Sequence, residues 1–348
     1  MRQPHKPAAG LGSERDWDCT ELVSVQLSNS HVHSRSSAPS TPAIPGLERW
    51  QVLEDPLALA ASHACPPPMD HYQGLDAPHF DYQLVRVPGA DDQPFRGPLA
   101  DLSGGYIACI GAAQTYGRFV ERPFPALLAD KVHLPCLNLG RGGVGPRFWL
   151  QPRLLELLHT AKLIVVQVMA GRSASNSLFD NAEGGDLMGR VRATGERMRF
   201  EQFLERLVAR GDRQLCRRTV EETRDDYVAT MRQLAAALRR PTVLLWISRR
   251  RPAYTCDWSD PGAILQHFPQ LIDQGVVDRI RPLFGALVEC VSEAGLPQRL
   301  WAAKAPIDGT RLGADGFLYN DYYPSPPMHE LAAELLAPVV RRELGRPA

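Results

Sequence analysis

The sequence predicts an α/β fold, a three-layer α/β/α sandwich with a mainly parallel sheet of about five strands. Two observations predict it. Short apolar runs bounded by glycine or proline recur along the chain, as expected for strands that are buried on both faces. Longer segments with apolar residues at helical spacing separate these runs, so that helices would connect parallel strands and cover the sheet.

The strands follow from the apolar runs in chain order. An edge strand or hairpin is predicted over Tyr82–Val87, before the regular pattern begins. The clearest strand is Leu163–Met169, which reads LIVVQVM. The other runs predict strands over Tyr106–Gly111, Pro135–Gly140 and Thr242–Ile247, with a weaker fifth over Arg299–Ala303.

The helices lie between these runs. The first places Phe124, Leu127 and Leu128 on one face. A later helix is predicted to begin at Thr219, because Glu222 stands in the capping-box position. The remaining helices are predicted near Trp149–His159, over Val276–Ala294 and over Met328–Leu344.

The first 68 residues differ from the rest in composition. They are rich in serine, proline and histidine without a sustained apolar period, so they predict a disordered leader. Residues 69–348 are predicted to form one α/β domain. Because the segment from Met69 reads like a natural domain beginning, Met69 is also a candidate for the native start.

Composition narrows the classes of function. The 39 basic and 39 acidic residues balance, which argues against a general nucleic-acid or membrane-surface binder. The seven cysteines contain no CxxC pair, and the histidines form no convincing ligand set, so neither a metal nor another cofactor is predicted. No apolar stretch approaches a membrane span and no signal peptide is evident, so a cytoplasmic location is expected by default. The sequence does not predict an oligomeric state.

Four loops should meet where the parallel strands end, because ligands bind at the carboxyl ends of strands in such folds. They are Gly111–Phe119, Asn138–Pro146, Ala170–Asn176 and Ser248–Pro252. The second is rich in glycine and could form either an anion cradle of backbone N–H groups or a tight turn. We therefore expect the functional residues to lie in these loops.

The order of these loops resembles that of the SGNH hydrolases. In that family Gly-Asp-Ser-x-Thr-x-Gly follows the first strand, and Gly111, Thr115 and Gly117 match it. A glycine follows the second strand, as Gly140 and the neighbouring glycines do here. A histidine begins the last helix, as His329 does. The resemblance, which spans roughly residues 100–345, implies an SGNH/flavodoxin-like sheet and a site built around these loops.

Several segments look more specifically like a bacterial branch of SGNH-like domains that carries a degenerate nucleophile motif. The segments are GAAQTYGRFVERPFPALL, VVQVMAGRSASN and DYQLVRV with FRGPLADLSGGYIACIG. The branch brings no established activity with it.

The departures from the family bear on the chemistry. Ala112 and Ala113 stand where the family has its motif aspartate and nucleophilic serine, and Pro326 replaces the aspartate that precedes the histidine. Ser173 replaces the oxyanion asparagine, although Asn176 lies nearby. A methyl group cannot attack an ester, so ordinary serine-esterase chemistry is not expected.

Each candidate residue has a functional and a structural interpretation. His329 could be a general base or a solvent-facing helix residue, and Ser173 could be a relocated nucleophile or a turn residue. Ala113, Gln114, Gly142 and Asn176 could line an oxyanion site or pocket. Arg141, Arg172 and Arg249 could bind an anion, or they could be solvated arginines in an arginine-rich chain.

The sequence therefore supports an SGNH-like protein that acts on or binds a small acylated or anionic metabolite. Two alternatives stay open. One is a non-catalytic small-molecule-binding module that kept the pocket and lost the nucleophile. The other is an acyl or sulfuryl group transferase in a biosynthetic pathway, with Arg172 and Arg249 orienting the donor.

Overall fold

The structure is a computed structural model that describes residues 76, 80–87, 90, 94–181, 188–302, 306 and 309–345. Every described residue belongs to one compact unit. The predicted leader and the candidate start at Met69 lie outside the described residues and stay predictions.

The strands form four sheets within the described residues. A hairpin of β1 (Val85–Arg86) and β2 (Pro94–Phe95) comes first, where an edge strand or hairpin was predicted. The others, in chain order, are β3 (Ile107–Ile110), β4 (Cys136–Asn138), β5 (Leu163–Gln167), β6 (Phe179–Asp180), β7 (Met188–Val191), β8 (Arg197–Arg199), β9 (Thr242–Ser248), β10 (Ala286–Val291), β11 (Gln298–Ala302), β12 (Thr310–Leu312) and β13 (Phe317–Asn320).

The helices, in chain order, are α1 (Ala113–Tyr116), α2 (Phe124–Val132), α3 (Pro152–Thr160), α4 (Phe200–Ala209), α5 (Arg213–Leu238), α6 (Pro261–Leu265), α7 (Gln274–Ile280) and α8 (Pro326–Leu344). Short 3₁₀ turns cover Pro146–Leu150, Gly171–Ser173 and Arg281–Leu283.

Five strands form the central parallel sheet, in the order β10–β9–β5–β3–β4. Their side chains alternate between its faces. Ala108, Ile110, Ile164 and Val166 pack in the cluster that also holds apolar residues of α3, α5 and α7. The residues next to them in sequence, such as Ile107 and Val165, pack with α2 and α8. The expected three-layer α/β/α sandwich with a mainly parallel sheet is therefore confirmed.

A separate apolar cluster lies beside this sandwich. The antiparallel sheet β6–β7–β8 packs its inner face on α4, α6 and the first half of α5, around Phe179, Phe200 and Phe203. A third antiparallel sheet, β11–β13–β12, precedes the last helix. These additions flank the loops at the strand ends.

One predicted helix was wrong, and one predicted strand lies in a different sheet. The helix expected over Val276–Ala294 ends near Pro282, and the segment after Gly285 is β10, the fifth strand of the parallel sheet. Proline stops a helix, and the alternating burial of β10 suits an edge strand. The predicted strand at Arg299–Ala303 is present as β11, but it pairs antiparallel with β13 and is not the fifth strand of the parallel sheet.

The long helix also begins earlier than expected. Asp212 caps it by accepting the Leu215 N–H at 2.9 Å, so Thr219 lies inside α5.

Within the described ranges, no helix is long and apolar enough to span a bilayer. The same ranges hold no group of three histidine, cysteine, aspartate or glutamate side chains placed to bind a metal.

Candidate functional site

The turn after β3 is held by one buried side chain, Gln167. Its Oε1 accepts hydrogen bonds from Ala112 N at 3.0 Å, Thr115 N at 3.1 Å and Thr115 Oγ1 at 2.6 Å. Gly111 is needed because a Cβ there would lie 2.3 Å from Thr115 Oγ1. The turn that carries Ala113 is therefore tightly specified.

The second loop packs on this turn. Asn138 Nδ2 donates to Thr115 O at 3.0 Å, and Arg141 N donates to Gly111 O at 3.0 Å. A Cβ on Gly140 would lie 2.1 Å from Tyr116 N, so only glycine allows this approach. Gly142 is buried in the same loop. The structure thus brings the first two predicted loops together.

Ala113 is the first residue of α1, in the turn after β3. Its side chain is buried in a small cluster with Phe119 and Tyr323. A methyl group therefore contacts aromatic rings at this position.

The Ser173 hydroxyl forms a hydrogen bond within its own turn. Its Oγ donates to Ala170 O at 2.9 Å, within the 3₁₀ turn Gly171–Ser173. A Cβ on Gly145 would lie 1.9 Å from the same oxygen, so the second loop covers the hydroxyl. This arrangement leaves little room for an acyl group beside Ser173.

The Asn176 amide also forms hydrogen bonds with neighbouring residues. Its Oδ1 accepts the N–H groups of Leu178 and Phe179 at 2.9 and 2.8 Å. Its Nδ2 donates to Thr223 Oγ1 at 3.0 Å. The amide therefore builds the turn into β6 and ties it to α5.

His329 is fully buried between α8 and the start of α2. Phe124 N donates to Nδ1 at 3.0 Å, and the imidazole stacks on the Phe124 ring at 6.1 Å. Burial, and then the charge of Arg96, lower the pKa of His329 to about 3. Because Nδ1 is the acceptor, the neutral ring carries its proton on Nε2.

This geometry does not favour His329 as a base. In a catalytic triad Nδ1–H donates to a carboxylate, and the unprotonated Nε2 faces the nucleophile. The hydrogen bond from Phe124 N imposes the opposite tautomer.

A cleft does open at the carboxyl ends of β3 and β9. Its enclosed space is small, about 10 Å³, and its mouth is partly open to solvent. Its lining residues come from four segments of the chain: Gln114, Ile247, Ser248, Arg249, His267, Phe268, Tyr322, Pro324 and Met328. Gln114 and Met328 are the chain neighbours of Ala113 and His329, so the first turn and the last helix meet here as expected.

Gln114 is the most unusual residue of the cleft. It is 2% exposed, yet its Oε1 has no hydrogen-bond partner among the described residues. A buried amide oxygen without a partner is costly, and it marks a site where a water or a ligand binds.

The three predicted arginines differ in their placement. Arg249 lines the cleft, with Nη1 donating to Asp321 O at 2.8 Å and Nε 3.5 Å from Glu293 Oε1. Arg172 reaches the cleft through Tyr322, to whose hydroxyl its Nη2 donates at 3.4 Å. Arg141 lies over the ring of Phe148, 5.3 Å from its centre, and does not line the cleft.

Arg172 is held by Glu201 of α4, with which it forms an ion pair. Burial lowers the pKa of Arg172, but Tyr322 and Glu201 raise it by more, so the guanidinium stays charged. Gln270 Nε2 also donates to the Tyr322 hydroxyl, at 2.8 Å. Tyr322 thus joins the cleft to a buried polar network.

Arg250, next to Arg249, turns inward. It donates to the carbonyls of His267, Pro269 and Ile272, and burial lowers its pKa to about 10. Arg251 is exposed. The arginine run of the fourth loop therefore supplies one cleft residue.

Sequence analysis missed four residues in or beside the cleft. Gln167 holds the turn after β3, His267 lines the cleft, and Glu201 and Gln270 belong to the polar network around Tyr322. Gln167 had a signal, because it is the one polar residue of the apolar run LIVVQVM. The other three lie in segments without a motif. Only the folding of distant loops brings His267 to the cleft wall and Glu201 and Gln270 to the network behind it.

The solved structures similar to this chain include SGNH hydrolases, as the resemblance predicted. A carbohydrate esterase family 2 enzyme from Corynascus thermopiles is 14% identical, with 72% of this chain and 70% of that chain covered and a TM-score of 0.36. Phospholipase A1 from Streptomyces albidoflavus is 12% identical, covering 69% and 99%, with a TM-score of 0.36. A protein assigned to the SGNH hydrolases, from Slackia heliotrinireducens, is 17% identical, covering 68% and 98%, with a TM-score of 0.32.

At these identities, and with TM-scores below 0.5, the likenesses bring no activity to this chain. No curated protein matches the sequence. The model of one family, the domain of unknown function DUF6473, matches residues 69–181 and 197–344. This match covers the parallel sheet and every residue of the cleft, and the chain therefore belongs to the DUF6473 family.

Proposed function

We propose that this protein binds a small anionic metabolite in the cleft at the ends of β3 and β9 and does not hydrolyse esters by a serine mechanism. The observation that carries the proposal is the buried amide of Gln114, whose oxygen has no partner among the described residues. Because the oxygen and nitrogen of an amide can exchange places by rotation, this position can offer an N–H to an anion. A bound molecule that hydrogen-bonds to this amide would remove the cost of burying it.

The charge of the lining residues supports an anion. Arg249 brings its guanidinium to the wall of the cleft, and its buried Nε makes no hydrogen bond within the described residues. His267 stands beside it on the same wall. Burial lowers the pKa of His267, and the positive charges of Arg249 and Arg250 lower it further.

The groups expected to perform ester hydrolysis are engaged elsewhere. Position 113 carries a methyl group, the Ser173 hydroxyl donates to Ala170 O, and His329 Nδ1 accepts the Phe124 N–H. These three observations favour the binding module over the esterase.

The test measures thermal unfolding and ligand titration of the full chain with acetate, sulfate and phosphate. At least one anion should stabilise the protein, by about 2.7 kcal/mol when its concentration is one hundred times Kd. Arg249→Gln should weaken that binding at least tenfold. Arg251→Gln is the matched control, because it removes the same charge from an exposed position of the same loop.

Two results would overturn the proposal. One is the absence of stabilisation by every anion. The other is ester hydrolysis by the unmodified protein that disappears in Ser173→Ala or His329→Asn.

A further inference from the structure

Tyr322 lines the cleft, and its hydroxyl acts as an acceptor in both of its hydrogen bonds within the described residues. Its oxygen accepts one hydrogen bond from Gln270 Nε2 at 2.8 Å and another from Arg172 Nη2 at 3.4 Å. A phenol can accept in this way and still donate its own proton. Among the described residues no acceptor takes that proton, so it is available to a ligand in the cleft that Tyr322 lines.

A second free group lies in the same cleft. The amide of Gln114 carries both an acceptor oxygen and an N–H donor, and rotation of the amide can present either. Tyr322 and Gln114 thus offer two donors to one bound group.

The charge balance limits the charge of the ligand. Arg172 is neutralised by its ion pair with Glu201. Since its pKa is lowered, His267 is neutral at pH 7. Arg249 is then the cation that lines the cleft wall within the described residues, and its charge is only partly balanced, because its Nε lies 3.5 Å from an oxygen of the 63% exposed Glu293 side chain.

We propose that the anionic group bound here is a carboxylate, with its two oxygens on the hydroxyl of Tyr322 and the amide of Gln114 and its single charge facing Arg249. The inference rests on the proposed function and names the ligand class. A dianion such as sulfate brings one charge more than the cleft balances, and burying an uncompensated charge is costly. Arg172 and Glu201 are positioning residues, because they act through Tyr322.

The experiment measures the affinity of the full chain at pH 7 for acetate, for its neutral analogue acetamide and for sulfate. Acetate should bind at least tenfold more tightly than either of the other two. Tyr322→Phe keeps the ring and removes the donor, and it should weaken acetate binding at least tenfold because hydrogen bonds to charged groups are strong. Tyr319→Phe, which removes an exposed hydroxyl bonded to Asp315, is the control.

Glu201→Gln tests the role of the Arg172–Glu201 pair through the ratio of sulfate to acetate affinity, which would not change if the pair were only structural. It leaves the charge of Arg172 uncompensated, so the affinity ratio of sulfate to acetate should rise at least threefold. An unchanged ratio would contradict the role assigned to Arg172 and Glu201.

The outcomes separate this inference from the proposed function. If acetate or sulfate binds in an Arg249-dependent way but Tyr322→Phe has no effect, or if sulfate binds more tightly than acetate, the carboxylate inference fails and the binding function stands. If no anion binds, the binding function itself fails.

Discussion

At the residue scale, the position that decides the chemistry is 113. Alanine there contacts Phe119 and Tyr323, and its neighbour Gln114 carries the polar group that faces the cleft. On the proposed function, the turn after β3 therefore offers a ligand the amide of Gln114. The same scale includes His329, whose hydrogen bond with Phe124 N ties the last helix to α2.

A serine placed at position 113 should not confer ester hydrolysis. We expect Ala113→Ser to show no ester hydrolysis above the unmodified protein, because His329 holds its proton on Nε2 and has a pKa near 3. Hydrolysis of p-nitrophenyl acetate measures this. Turnover by Ala113→Ser that is lost in the double variant with His329→Asn would show that the imidazole can act as a base after all.

The buried imidazole should also make stability depend on pH. The pKa of His329 is about 3 in the folded protein and near 6.5 when unfolded, so between these values only the unfolded chain takes up the proton. Stability is fully present above pH 6.5 and should fall below it by on the order of 1.4 kcal/mol per pH unit.

Urea unfolding at pH 7, 6 and 5 measures this dependence. His329→Asn retains an acceptor for Phe124 N and cannot be protonated, so its free energy of unfolding should fall less steeply over the same range. Equal slopes in the two proteins would contradict a neutral, buried His329.

At the element scale, the site depends on how closely two loops approach. The second loop lies on the turn that carries Ala113, and its closest point is Gly140, beside the backbone of Thr115 and Tyr116. Gln167, from β5, holds the turn from the other side with three hydrogen bonds. Adjacent strands of the parallel sheet therefore fix the wall on which Gln114 sits.

Gly140→Ala should destabilise the protein by about 2 kcal/mol or more. The new Cβ would lie 2.1 Å from Tyr116 N and 2.6 Å from Thr115 C, and both are backbone atoms that cannot rotate away. The midpoint of urea unfolding measures the change. Gly104→Ala is the control, because no atom lies within 4 Å of its Cβ, and equal effects of the two substitutions would refute the close approach.

At the scale of the whole molecule, a segment that precedes the hairpin is built into the core. Asp76 and Arg118 form an ion pair at 2.7 Å with both side chains fully buried, and Tyr82 OH donates to Asp76 Oδ2 at 3.0 Å. Arg118 in turn donates to the Tyr323 hydroxyl at 2.9 Å, next to the cleft residue Tyr322. Residues far apart in the chain therefore support one wall of the site.

Asp76→Asn should be strongly destabilising, by about 3–5 kcal/mol, because it removes the buried carboxylate that pairs with the buried guanidinium of Arg118. Thermal and urea unfolding measure the loss. Asp130→Asn is matched to it, since Asp130 pairs with Arg122 at the surface, and we expect that change to cost less than about 1 kcal/mol. Comparable losses in the two variants would contradict the importance of the buried pair.

Because Asp76 is part of this buried ion pair, the folded domain has to include residue 76. A chain of residues 69–348 keeps Asp76, and we expect it to unfold at the same temperature as the full chain. A clear loss of stability on removing residues 1–68 would show that the predicted leader belongs to the folded domain.

The sequence by itself determined the alternation of apolar runs with helical segments, and hence the parallel sheet and the edge where its loops meet. It also determined the absence of a serine at position 113. These features are local, because the period of burial along a strand or helix is written in consecutive residues.

Only the tertiary structure decided how the polar side chains are used. Arg249 and Gln114 line the cleft, whereas Ser173 and Asn176 form hydrogen bonds within their own turns. The His329 imidazole accepts the Phe124 N–H. It also made 286–291 a strand, where the helical period had favoured a helix. A polar group takes the partner that folding brings near, and that partner comes from a distant segment whose position no local pattern records.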